Sequence, residues 1–135
     1  MLVNSPVTAT SIANPVAGWP SLSTADLTSV SRIDKSLGND YLQAKLQHAY
    51  DVINRQLAAL MLQPPETDFV RRSYKRAVVH EAAALISEDH LDYDSTGDGL
   101  IRGDAMRAKA QSLRRIVNHC IADLTNRPRN RVRLI

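Results

Sequence analysis

Between residues 39 and 63 the apolar side chains recur at steps of three and four. Leu42, Leu46, Ala49, Tyr50, Ile53, Leu57, Leu60 and Met61 fall on one face at the 3.6-residue period of a helix. Asn39 is placed to cap that helix. Gly38 just before it closes a shorter one, which opens with the capping-box spacing Ser23-Thr24-Ala25-Asp26. Pro64-Pro65 ends the long helix, and Pro65 suits the first position of the next. A third helix is expected over about 66–90, with Val70, Tyr74, Ala77, Val78, Leu85 and Ile86 on its buried side. A loop with glycines at 97, 99 and 103 follows over 91–103. Met106, Ala110, Leu113, Val117, Cys120 and Leu124 then alternate steps of four and three, a heptad-like seam on a fourth helix that Pro128 closes.

The two ends of the chain lack this periodicity. The first 22 residues mix small polar side chains with Pro6, Pro15 and Pro20. They read as an extended arm anchored by Trp19, or, on composition alone, as a disordered tail. The last nine alternate strictly. In an extended chain Arg127, Arg129, Arg131 and Arg133 line one edge, with Val132 and Leu134 on the other, ahead of Ile135. A two-faced strand with no sheet of its own is suited to join the sheet of another protein. The expected architecture is all-α, a bundle of one short and three longer helices. It divides into an arm (1–22), a helical domain (23–126) and a strand-like basic docking tail (127–135), with no strand before the tail.

Composition narrows the class without choosing a function. The 135 residues, 44% of them hydrophobic, suit one soluble globular domain. No apolar run approaches the ~18 residues that span a bilayer, and no secretory leader is expected. One cysteine, Cys120, leaves no internal disulfide and fits a reducing cytosolic origin. The net charge of +3 conceals a strong segregation. Residues 1–25 carry no charged side chain, 64–103 hold eight acids against five bases, and 104–135 hold two acids against eight bases. Thirteen of the seventeen bases are Arg, which favours bidentate contacts with carboxylate or phosphate.

Catalytic and metal signals fail on spacing. Asp94, Thr96 and Asp98 with Gly99 resemble half a calcium loop, but position twelve, where a bidentate carboxylate belongs, is Ala105. His80-Glu81 opens like a metalloprotease helix, yet Ala84 stands where the second histidine is required. His119 and Cys120 are adjacent, about 100° apart on a helix, and cannot share a metal. His48 and His90 stand alone, and Cys120 belongs to the apolar seam. No metal, cofactor or catalytic residue is expected.

Charged clusters are more informative. Arg71, Arg72, Lys75 and Arg76 make two like-charge pairs at i,i+4, which cost ~0.2–0.5 kcal/mol each unless phosphate, an acid of another chain, or Asp68 reaching Arg72 compensates. In the ring that the resemblance given below implies, they are the first candidates to line a DNA channel, with Arg114 and Arg115 second. Glu88, Asp89, Asp92, Asp94 and Asp98 form an acidic run without a base, followed by Arg107 and Lys109. Opposite charge on two different patches suits a head-to-tail subunit contact.

With the helices and tail placed, the chain resembles the head-completion proteins of contractile-tailed phages, small helical connectors that dock beneath the portal. The resemblance runs over Leu22 to Leu57, including the break at Gly38-Asn39-Asp40 and the start Tyr41-Leu42-Gln43-Ala44-Lys45-Leu46. It resumes from Arg76-Ala77-Val78 through the Gly/Asp loop and last helix to Pro128-Arg129 and the terminal Ile135. It implies a structural virion protein of the phage neck, assembled in the host cytoplasm without enzymatic turnover. Its implied partners are further copies in a twelve-subunit ring, the portal, a neck or tail-completion protein, and double-stranded DNA passing without sequence specificity. The ring would extend the DNA channel and help retain the genome, away from any membrane. The alternative from another class is a small helical DNA-binding protein of packaging recognition or regulation, supported by the basic carboxyl third. It lacks a recognisable helix-turn-helix.

Overall fold

The expected face of the long helix is the one buried. The computed structural model describes residues 10–30, 38–89 and 97–125. In it Leu42, Leu46, Ala49, Tyr50, Ile53 and Leu57 form the inner side of α2 (Asn39–Ala59). The other helices are α1 (Thr24–Val30), α3 (Asp68–Asp89) and α4 (Gly97–Thr125). A two-stranded antiparallel ribbon, β1 (Ser11–Ile12) with β2 (Leu22–Ser23), pairs Ser11 with Ser23 and Ile12 with Leu22. The protein is all-α, with that ribbon as its only sheet among the described residues.

Helix α3 lies between its neighbours, packed against both α2 and α4. Its middle is therefore buried nearly all round, from Tyr74 and Ala77 through Ala82 and Ala83 to Ile86, and small residues there let the flanking helices approach. The core joins this row to Trp19, Leu22 and Leu27 from the amino-terminal side and Val117 and Cys120 from α4.

Residues 10–23 are held by directed bonds as well as by burial. The Tyr50 hydroxyl accepts from the Leu22 amide at 2.6 Å and donates to the Ile12 carbonyl at 2.8 Å, tying both strands to α2. Asn14 donates to the Tyr74 hydroxyl (2.6 Å), which donates to Asn54 Oδ1 (2.6 Å), and Asn54 Nδ2 donates back to Asn14 Oδ1 (3.0 Å). The three side chains close a hydrogen-bonded ring across three segments. Trp19 stacks obliquely on Tyr74 with ring centroids 4.8 Å apart. Gly18 has φ +91°, and a Cβ there would lie 2.9 Å from Pro64, so the turn and the close approach both require glycine.

The helix boundaries correct several expectations. Ser23 and Asp26 do form a reciprocal capping box: the Ser23 amide donates to Asp26 Oδ2 (2.8 Å) and the Asp26 amide to Ser23 Oγ (3.4 Å). The expected run of that short helix to Gly38 falls partly outside the described residues. Asn39 is not the cap of α2 but its first helical residue. Gly38 (φ +89°) holds the cap position, and Asn39 Nδ2 donates instead to Thr10 Oγ1. The prolines do not end α2. A Schellman closure does so earlier, the Leu62 amide reaching the Leu57 carbonyl and the Met61 amide that of Ala58, with Met61 at φ +56°. Helix α3 starts at Asp68, three residues past Pro65. The expected loop over 91–103 is displaced most, since α4 already begins at Gly97 and runs through all three glycines.

Candidate interaction surfaces

The seam between α3 and α4 carries a charged clamp. Glu81 lies in the alanine-rich middle of α3 with its side chain 5% exposed, and Arg114 of α4 reaches it at 3.0 Å. The same guanidinium meets Glu88, two turns further along α3, at 2.5 Å. Two carboxylates therefore share one guanidinium, and its pKa is raised beyond the usual arginine range, by Glu88 first and against the opposing effect of burial. Asp89 turns to the other side of the molecule, where it accepts from Lys45 Nζ (2.6 Å) and from the Tyr41 hydroxyl (2.7 Å), both on α2. The last turn of α3 is thus pinned to both neighbours.

These pairs place three of the residues singled out in the sequence. Glu88, Asp89 and Arg114 make ion pairs within the chain, and Arg115, beside Arg114, is exposed. Arg107 and Lys109 are exposed on α4. A groove of about 360 Å³ runs between α3 and α4, lined by Arg107, Gln111, Arg114, Arg115 and Asn118 on one helix and Glu88 on the other. Asp98 lies on the first turn of α4, while Asp92 and Asp94 fall outside the described residues. A helical backbone from Gly97 onward is not the loop that a calcium site requires at its fourth to ninth positions. No group of three metal-binding side chains occurs among the described residues.

Arg71, Arg72, Lys75 and Arg76 are all exposed on the first turns of α3. Asp68 bonds Arg71 at 3.2 Å, not Arg72 as expected, because i,i+3 contact is available at the helix start. Arg72 and Arg76 border a second groove of about 330 Å³ with Phe69, Cys120 and Asp123, and Phe69 is 54% exposed at its edge. His80 is buried, and its Nδ1 lies 2.7 Å from the Arg76 carbonyl. That oxygen only accepts, so the proton sits on Nδ1. Burial lowers the His80 pKa. The tail residues Arg127, Arg129, Arg131, Val132, Arg133, Leu134 and Ile135 lie outside the described residues.

Sequence reasoning treated Glu81 only as half of a failed metal motif and missed its role as buried partner of Arg114. A single acid inside an alanine run on a buried face was the available signal. Asn14 and Asn54 gave none, since their partners lie on other segments.

Helices cross-linked by ion pairs, with no helix among the described residues long and apolar enough to cross a membrane, define an all-α protein. Residues 65–135, from just before α3 to the carboxyl end, match the family model of the phage head completion protein (GPL), and the chain belongs to that family. It is thereby a virion-associated structural protein of phage head assembly. No curated protein and no solved structure matches the chain.

Proposed function

We propose that this protein is the connector that completes the filled head. Copies join head-to-tail as a twelve-subunit ring on the exit face of the portal, extend the DNA channel, help retain the genome and offer the neck or tail protein its docking surface. The family match over α3, α4 and the tail carries this reading. The segregation of charge along the chain supports it, since a head-to-tail ring joins two different patches on each subunit. The tail from Arg127 to Ile135 docks on the portal by adding a strand, its arginines setting register. Arg71, Arg72, Lys75 and Arg76 face the DNA backbone, which a passing genome requires to be basic but not sequence-reading.

Electron microscopy of the protein mixed with its portal tests the reading, with rings on the exit face expected. Deleting residues 127–135 should leave the helical circular dichroism intact and abolish attachment. Completion of heads by the truncated protein would remove the tail from this role. Tight, steeply salt-dependent binding of the monomer to short duplex DNA, without portal attachment, would replace the connector by a small DNA-binding protein.

A further inference from the structure

We infer that the groove between the start of α3 and the end of α4 docks an extended acidic segment of another protein. The segment sets an apolar side chain against Phe69 and two carboxylates on Arg72 and Arg76. The connector reading stands with or without this site, which narrows the cations left to face DNA to Arg71 and Lys75.

Helix geometry divides the four cations. At about 100° per residue, Arg72, Arg76, Phe69 and Ser73 fall within about 100° of arc around α3. Arg71 and Lys75 lie about 60–140° from the two arginines. Only the first group lines the groove of about 330 Å³, with Cys120 and Asp123 on the α4 wall. Arg72 and Arg76 are exposed and make no ion pair among the described residues. The helix carries them although like charges one turn apart disfavour it. Phe69 is 54% exposed at the rim, and Cys120 gives the groove an apolar floor. Ser73 is 8% exposed and makes no side-chain hydrogen bond among the described residues, so its hydroxyl can serve a backbone amide or carbonyl in the groove.

Charge and spacing together select a peptide. Duplex DNA meets a protein surface through its phosphates and keeps its bases stacked, so an exposed phenylalanine gains nothing from it. Asp123 sets a carboxylate in the same groove and repels a continuous phosphate chain. A peptide brings N–H donors together with its acids, and each guanidinium takes a carboxylate bidentately. Phe69, Arg72 and Arg76 step along the α3 axis by about 4.5 and 6 Å. Side chains on one face of an extended chain recur every ~6.6 Å. An apolar residue followed by acids two and four positions on therefore meets all three.

Titration of the isotope-labelled protein with the synthetic peptide acetyl-Phe-Ser-Asp-Ser-Asp-amide, followed by NMR, tests the site. Amide shifts should centre on Phe69, Ser73 and Cys120. R72Q/R76Q and Phe69→Ser should each weaken binding about tenfold or more, as for a lost interface anchor. R71Q/K75Q removes as much charge beside the groove and should leave binding within about twofold, since neither side chain lines it. All these positions are exposed, so circular dichroism should match the wild type. No binding, or an equal loss in all three variants, overturns the site. Tighter binding of oligothymidine than of the peptide overturns it in favour of single-stranded DNA stacked on Phe69. Wild-type dimers that R72Q/R76Q abolishes overturn it by giving the groove to a second copy. Micrographs with the portal answer separately for the connector. Rings seen there leave the connector standing whatever the peptide does, and a wild type that builds no ring removes the connector but not the groove.

Discussion

Two buried tyrosines each do the work of a staple, and their chemistry makes the molecule alkali-sensitive. Burial is the chief cause that raises the pKa of both Tyr50 and Tyr74. In the unfolded chain a tyrosine ionises near pH 10. Below that pH both states keep the proton and the stabilisation is complete. Above it the unfolded chain releases protons that the folded one retains, so stability falls as pH rises. We expect phenolate absorbance of these two residues to appear together with loss of helical circular dichroism, not before it. Replacing Tyr74 with Phe keeps the stacking on Trp19 but leaves Asn54 Oδ1 without its donor. That substitution should cost ~1–3 kcal/mol in urea unfolding, the usual range for an unsatisfied buried group. An unchanged midpoint would mean water replaces the hydroxyl.

At the scale of the elements, the α3–α4 clamp has an asymmetric energetic signature. Arg114→Met strands Glu81 at 5% side-chain exposure, and we expect a loss of about 2–4 kcal/mol, tempered because the guanidinium is partly solvated. Adding Glu81→Gln should recover much of it, since the buried site then holds a neutral amide. A double-mutant cycle in denaturant measures this, and strictly additive losses would mean the two groups do not interact. The helices themselves were legible in the chain: the face of α2 and the seam from Ala110 to Leu124 follow from period alone. Their ends were less so. The α2 stop needed Met61 in a left-handed conformation, which no propensity favours for methionine, and Pro64-Pro65 drew attention downstream. The start of α4 was hidden because three glycines are poor helix formers, each disfavoured by about 1 kcal/mol relative to alanine. The two-residue strands are too short to show alternation. Partner identity within the clamp was not legible, because Glu81 and Arg114 lie 33 residues apart and meet only through helix packing.

For the whole molecule, Trp19 is the natural reporter of cooperativity. It is the only tryptophan, 9% exposed, and belongs to the core shared by the amino-terminal segment, α2, α3 and α4. Its emission should be blue-shifted in the native protein and move to the red in one step that coincides with the circular dichroism transition. A red shift that precedes helix loss would show residues 10–23 detaching as a separate unit. Trp19→Ala should lose ~3–5 kcal/mol, as for a large aromatic removed from a packed core.

The hydrogen-bonded ring of Asn14, Tyr74 and Asn54 bears on modularity. The stretch that matches the family, residues 65–135, contributes only Tyr74 to that ring; the other two members lie upstream of it. The family signature is therefore not a transplantable cassette. A chimera grafting residues 65–135 onto a foreign leader would carry α3 with one flank stripped of Trp19, Leu22, Leu27 and the whole inner side of α2. Circular dichroism of residues 65–135 alone should therefore show less helix than the same stretch has in the whole chain, and full helicity of that piece would show that the upstream flank is dispensable.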